Sequence, residues 1–211
     1  MIKNIVFDMG RVLVGFDPDA IIEEFTADLE DIQMIRREIF EKNEWQELDR
    51  GTLMEEDMIP LVCARLPERL HGIAEKLLLH WREYMEALDN IVPLARQLKE
   101  NGYALYVLSN AGKSMLDFKY KLPVLKYFTG TLFSAEVYLL KPEPGIYREF
   151  FERFSLNPEE CFFIDDTPEN IEAGKEFGMN GFRYTGELRP LCEALENAGV
   201  SASFNLLKQV K

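Results

Sequence analysis

The chain has 211 residues, of which 47% are hydrophobic and 29% charged, with a formal net charge of −13. That length suits one main domain plus an insertion or small second domain, and the apolar content is ample for a core. The acidic excess disfavours nucleic acid and anionic membranes as partners, because a polyanion would be repelled rather than shed counterions onto Lys and Arg. A small anion is still admissible where a few local donors override the global field. Cys63, Cys161 and Cys192 are odd in number and form no C-x-x-C pair, so neither a disulfide framework nor a zinc site is indicated, and Cys63 and Cys161 read as core filler. With no signal peptide or membrane span in view, a soluble cytoplasmic protein is expected.

The first element is an apolar run, Ile5-Val6-Phe7, that stops at Asp8 before the turn Met9-Gly10-Arg11. It reads as a buried parallel strand delivering a carboxylate to its carboxyl end, where ligands of such sheets bind. An Asp that only stabilises a turn would look the same, so this residue alone leaves both readings open. Asp17-Pro18 then marks a helix start, with Ile21, Ile22 and Phe25 as its apolar face. Helices are expected over Leu29–Lys42, over Thr52–Leu66 with Thr52 and Glu55 at capping-box spacing, and onward from Pro67 with Leu70, Ile73, Leu77 and Leu78. Roughly seventy residues therefore separate the first strand from the next, far more than a βα crossover needs, and an all-helical insertion over residues 17–85 is the economical reading.

From Asn90 strand and helix alternate. Pro93–Glu100 is read as a helix ended by Gly102, and Ala104–Leu108 as a strand running into Ser109-Asn110-Ala111-Gly112. A helix follows near Lys113–Leu122, then a short strand over Thr131–Ser134, the Lys141-Pro142 break and a helix over Gly145–Phe154. Cys161–Ile164 is a strand ending at Asp165-Asp166, Pro168–Phe177 a helix closed by Gly178, and Gly181–Tyr184 a last strand. This alternation predicts an α/β protein with a doubly wound, mostly parallel sheet, its core formed by residues 1–16 and 86–211. Ser201–Lys211 reads as a frayed end.

Three strand ends carry polar residues: Asp8, Ser109 with Asn110, and Asp165 with Asp166. In a parallel sheet such ends share one edge. Carboxylates crowded there call for a divalent cation, and oxygen-rich, His-poor ligands point to magnesium. A lysine and a hydroxyl beside the metal, Lys141 and Ser109, are what a phosphoryl group needs.

With FDMGRV, VLSN, Lys141-Pro142 and FFIDDTPENIEAG in that order, the sequence resembles the haloacid dehalogenase (HAD) superfamily, over residues 2 to about 185, with an insertion similar to its type-1 helical cap. Within it the chain looks like the group of sugar-1-phosphate phosphatases and the N-terminal part of epoxide hydrolases. The resemblance implies a nucleophilic Asp8 that becomes an aspartyl phosphate, and Mg2+ held by Asp8, the Gly10 carbonyl and Asp166. Asp165 and Asn170 would act on the metal directly or through water. Ser109, the Asn110 backbone, Lys141 and Arg11 would receive the substrate, a small phosphorylated molecule, and Lys141 would also be catalytic, neutralising charge on the phosphate and on Asp8.

Two departures stand out. Family phosphatases usually carry a second aspartate two residues after the nucleophile, as general acid and base; here that position is Gly10, and Arg11 beside it cannot donate a proton usefully. Tyr138 stands where glycine is frequent. Gly10 keeps a second function in view, a catalytically weak protein that binds a phosphorylated ligand or a protein partner. A third, metal-independent dehalogenation by Asp8, fits poorly with Asp165, Asp166 and Asn170. If the acid comes instead from the insertion, Asp17 and Asp19 are nearest in sequence. Within the insertion, His71 and His80 read as surface or packing residues, and Glu23, Glu24, Asp28 and Glu30 as a solvated face. Trp45 and Asp49-Arg50-Gly51 are open to two readings: a helix end with its C-cap glycine, or a contact with substrate.

Overall fold

The computed structural model describes residues 1–202. Five strands, β1 (Asn4–Phe7), β2 (Ala104–Ser109), β3 (Gly130–Phe133), β4 (Cys161–Asp165) and β5 (Asn180–Arg183), form one parallel sheet in the order β3-β2-β1-β4-β5. Every neighbouring pair is parallel, with Phe7 opposite both Val107 and Ile164. Strand side chains alternate between two cores. Ile5, Phe7, Leu105, Val107, Phe162 and Ile164 belong to one apolar cluster, and Val6, Tyr106, Leu108 and Phe163 to the other.

The helices fill these two faces. Leu94, Ala95 and Leu98 of α6 (Val92–Glu100) and Leu191, Cys192 and Leu195 of α11 (Leu188–Asn197) join the first cluster, whereas Ile146, Tyr147 and Phe150 of α9 (Pro144–Phe154) and Ile171 of α10 (Pro168–Glu176) join the second. The sheet is thus doubly wound, with β1 at its centre. Its neighbours β2 and β4 extend the sheet in opposite directions, which opens a crevice at the carboxyl end of β1.

Between β1 and β2 the chain is helical: α1 (Pro18–Glu23), α2 (Leu29–Ile39), α3 (Asn43–Arg50), α4 (Glu55–Cys63), α5 (Glu68–His80) and a 3-10 turn at Trp81–Tyr84. The chain enters and leaves this cap side by side. Val14 bridges Ala87 antiparallel, the Gly15 N–H donates to the Glu86 carbonyl at 2.8 Å, and the Leu88 N–H to the Leu13 carbonyl at 2.9 Å. No helix among the described residues is long and apolar enough to cross a membrane.

Several sequence expectations shift. The helix expected to Lys42 ends at Ile39 and a new one, α3, begins at Asn43; its run NEWQELDR buries only Leu48, too little apolar periodicity to read. Thr52 does not cap α4. It still belongs to the close of α3, its N–H bonded to the Glu47 carbonyl and its hydroxyl donating to the Glu47 carboxylate at 2.5 Å, while Met54 precedes α4 without a capping side chain. The helix expected at Lys113–Leu122 shrinks to α7 (Ser114–Phe118) and a 3-10 turn, and β3 ends at Phe133 because Ser134 opens α8 (Ser134–Val137). Asp28 is no mere solvated charge: its carboxylate caps α2 by accepting from the Glu30 and Asp31 N–H groups. Cys161 and Cys192 are buried, but Cys63 is only half-buried, at the last turn of α4. Residues 203–211 of the expected frayed end lie outside the described residues. Ser201 is pinned, its N–H donating to the Tyr103 hydroxyl and its carbonyl accepting from Asn101.

Candidate active site

Parallel register brings the polar strand ends together. Asp8 follows β1 and is buried, its N–H tied to the Ile164 carbonyl at 2.8 Å. Lys141 reaches in from the loop before α9, with its side chain 1% exposed. Its Nζ donates to Asp8 Oδ1 at 2.7 Å and to Asp165 Oδ2 at 2.6 Å. Asp165, fully buried, also accepts from the Thr167 N–H at 2.8 Å and the Asn170 amide at 3.0 and 3.1 Å. The Asn170 amide N–H thereby helps to orient Asp165. Asp166 is more open: its carboxylate meets the Thr167 hydroxyl at 3.2 Å and Arg11 at 3.5 Å, and its backbone carbonyl accepts from Arg183 at 3.1 Å.

Carboxylate oxygens of Asp8, Asp165 and Asp166 lie within 4.8 Å of one another. One buried lysine faces this group, and the exposed Arg11 adds only a long contact to Asp166. Arg11 has a left-handed backbone, φ 57°, and its guanidinium bonds the Phe16 carbonyl as well. Burial lifts the Asp8 carboxyl most, Lys141 opposes, and the charge on Asp165 adds to the rise; the net result is about 6. Lys141 is held above its ordinary value, since its two carboxylates outweigh the cost of burying it. Hard oxygen donors with surplus negative charge suit a divalent cation of the magnesium kind.

Ser109 and Asn110 play different parts. Ser109, at the end of β2, is buried and lines the cavity with only a 3.5 Å approach to a carbonyl occupying its hydroxyl. The Asn110 side chain clamps the Lys141 backbone, accepting from its N–H at 2.7 Å and donating to its carbonyl at 2.9 Å. That leaves only backbone at Asn110 for a ligand. The clamp was invisible in the sequence, because thirty-one positions separate the partners.

Above these groups is a cavity of about 70 Å³, lined by Met9, Gly10, Asp49, Ser109 and Asn110 together with Phe16, Trp45 and Trp81. Phe16, Phe40, Trp45 and Trp81 form one aromatic cluster, with Phe16 and Trp45 stacked at 6.0 Å. Asp17 and Asp19 do not reach the cavity. Asp17 caps α1, and Asp19 pairs with Arg36 at 2.8 Å. His71 bonds the Leu66 carbonyl and His80 meets Glu83, both away from the acid cluster.

Sequence reasoning missed Ser134, whose hydroxyl donates to the Asp49 carbonyl at 2.5 Å and accepts from the Ala111 N–H, tying cap to core. Arg50 adds a two-pronged pair with Glu143, at 2.6 and 3.1 Å, and Glu55 of the cap meets Ser114 of the core. Gly51 serves more than one end: it closes α3 at φ 82° and lies so close to α8 that a Cβ would be 2.8 Å from that of Ala135. Tyr138 has φ 59°, a conformation that favours glycine, which explains why its side chain is unexpected there.

A parallel α/β sheet with an acid cluster and a buried lysine at its central strand ends, under a helical cap, defines a class of hydrolases. The chain belongs to the haloacid dehalogenase-like hydrolase family, whose model matches residues 2–178. It is 27% identical over 195 residues to D-ribitol-5-phosphate phosphatase of Bacteroides thetaiotaomicron, covering 87% of this chain and 92% of that one. To flavin mononucleotide hydrolase 1 of Arabidopsis thaliana it is 26% identical over 161 residues, 75% of this chain and 63% of the other. A solved HAD-family enzyme of Bacteroides thetaiotaomicron, in complex with magnesium and inorganic phosphate, matches with a TM-score of 0.70 at 23% identity, over 88% of this chain and 96% of that one. L-2-haloacid dehalogenase of Xanthobacter autotrophicus matches with 0.64 at 16% identity, over 99% and 87%. These structures speak to the fold.

Proposed function

We propose that this protein is a magnesium-dependent phosphatase of a small phosphorylated metabolite, sugar phosphates among the candidates, working through an aspartyl phosphate on Asp8. The observation that carries this reading is the cluster of Asp8, Asp165 and Asp166 oxygens within 4.8 Å, with Lys141 bonded to two of the three. The phosphatase and hydrolase relatives, and the magnesium and phosphate bound by the solved relative, point the same way.

In this reading Asp8 attacks phosphorus, and Lys141 neutralises charge on Asp8 and on the phosphoryl oxygens. Ser109 and the Asn110 N–H receive those oxygens. Asp8, the Gly10 carbonyl and Asp166 would hold Mg2+, with Asp165 behind them. The ion supplies charge neutralisation and orientation of the phosphoryl group. Residues 17–85 form the cap unit, which excludes water and selects for size, and the small cavity beneath it favours small substrates.

Gly10 favours a second reading, phospho-ligand or protein binding without turnover. Phosphate release from a panel of phosphorylated metabolites, with and without Mg2+, separates the two. The phosphatase reading expects Mg2+-dependent release that Asp8→Asn abolishes. Tight binding of phosphate esters with no release from any of them would favour the binding module.

A further inference from the structure

The position two residues after Asp8 carries no side chain, so the proton for a leaving group must come from elsewhere. Several acids of the cap are held in ion pairs. Asp31 pairs with Arg69 at 2.6 Å, Glu38 with Arg65 at 3.0 Å, and Glu55 with Arg82 at 2.5 Å. Asp49, in the last turn of α3, is different. It lines the cavity together with Met9, Gly10 and Ser109, and its carboxyl makes no hydrogen bond or ion pair among the described residues. Its backbone is nevertheless firmly placed. Ser134 grips its carbonyl, Arg50 locks onto Glu143, and Gly112 lets the Leu48 carbonyl approach to where a Cβ would be 2.9 Å away.

We propose that Asp49 is the catalytic acid and base that Gly10 does not supply, delivered to the reacting centre by the cap. This rests on the phosphatase reading. As an oxygen of Asp8 forms its bond to phosphorus, the bond from phosphorus to the leaving oxygen breaks and that oxygen takes the proton of Asp49, leaving as an alcohol. A water then attacks the phosphoryl group and gives a proton to the Asp49 carboxylate. The bond from phosphorus to Asp8 breaks, inorganic phosphate departs, and both carboxyl groups return to their starting states.

The surroundings suit a carboxyl that waits protonated. Phe16, Trp45, Trp81, Met85 and Met115 make up most of the remaining cavity wall. Burial above all, and the nearby charge of Asp8 next, hold Asp49 well above the usual carboxylate range despite the opposing pull of Lys141. A group at the end of a cap helix would meet the leaving oxygen only with the cap docked as it is here. Proton delivery and exclusion of solvent would then be one event.

The test compares aryl and alkyl phosphates on the wild-type protein, Asp49→Asn, Asp8→Asn and the double variant Gly10→Asp/Asp49→Asn, each with Mg2+. Asp49→Asn should lower kcat/KM for alkyl phosphates about 100- to 10,000-fold, the ordinary size of general acid catalysis. With p-nitrophenyl phosphate, whose leaving group needs no proton, the variant should give a burst of nitrophenolate followed by slow turnover, because the phosphoenzyme lacks its base. A Cβ on Gly10 meets nothing nearer than Phe16 at 4.0 Å, so the double variant has room for a carboxylate and should regain alkyl phosphate turnover. Equal losses for all substrates with no burst and no rescue would mean a structural role and overturn the proposal. So would wild-type rates in Asp49→Asn while Asp8→Asn is inactive, a result that leaves the phosphatase reading standing. No phosphate release from the wild-type protein would sink both.

Discussion

Lys141 balances two carboxylates in a setting from which water is excluded, and removing it would strand both. Lys141→Ala should destabilise the metal-free protein by about 3 kcal/mol, the usual cost of breaking one side of a buried pair. The stranded carboxylates escape by taking up protons, so the loss measured by urea unfolding should be smaller at pH 5 than at pH 8; equal losses would argue against the pairing. Asp8 makes a further pH prediction. Raised from 3.8 to about 6, its carboxyl binds a proton in the folded metal-free protein that the unfolded chain has already released. The stability it contributes is present below pH 4 and is lost as pH rises to about 6. Mg2+ requires the ionised form, so its affinity by calorimetry should weaken roughly tenfold per pH unit below about 6. An affinity that stays flat from pH 7 to pH 5 would remove Asp8 from the metal site. Asn110→Ala should cost about 1–3 kcal/mol and lower kcat more than it raises KM, because it frees the backbone that aims Lys141.

At the level of elements, the contact between α3 and α8 governs how the cap sits. Gly51 lets α3 approach Ala135 closely there and Ser134 adds a polar fastening, while Arg50 fastens the cap to Glu143 before α9 and Glu55 of α4 meets Ser114 of α7. Gly112→Ala would push against the Leu48 carbonyl, part of a backbone that cannot rotate away. A loss of about 1–3 kcal/mol, with a higher KM for substrate, is expected; unchanged thermal unfolding and kinetics would show that the contact opens freely. Arg50→Ala tests the polar part of the same seam. The pair is partly exposed and should matter little for stability, about 0–1 kcal/mol, but more for the rate at which the cap closes, read by stopped-flow Trp fluorescence through Trp45 and Trp81.

For the whole molecule, a net charge of −13 opposes the approach of a phosphate ester until it is within reach of Lys141. Added salt screens this repulsion, so kcat/KM should rise modestly as ionic strength increases to about 0.1 M. A falling kcat/KM would mean that a local positive field dominates even at long range. Replacing residues 18–82 by a short linker should broaden substrate choice and, if Asp49 is the acid, suppress alkyl phosphate turnover. Intact small-molecule specificity in a folded protein would show that the cap is not the selector.

The doubly wound sheet, the helical insertion and the acids at the strand ends were legible in the sequence. Buried parallel strands are short apolar runs, and their carboxyl ends must collect at one edge whatever the loops do, so Asp8, Ser109, Asp165 and Asp166 could be grouped before any distance was known, with the loop residue Lys141 added from the family resemblance. Helix ends in the cap were less legible, because α3 is polar on most of its surface and Thr52 has the spacing of a cap without the geometry of one. Proximity across the chain lay beyond the sequence. That Asn110 grips Lys141, that Ser134 holds Asp49, and that Asp49 rather than Asp17 or Asp19 lines the cavity all depend on how the cap folds back over the sheet. Chain distance says little about such contacts, since the docking of α3 is set by close packing at Gly51 and Gly112, where the absence of a side chain is what lets the two backbones meet.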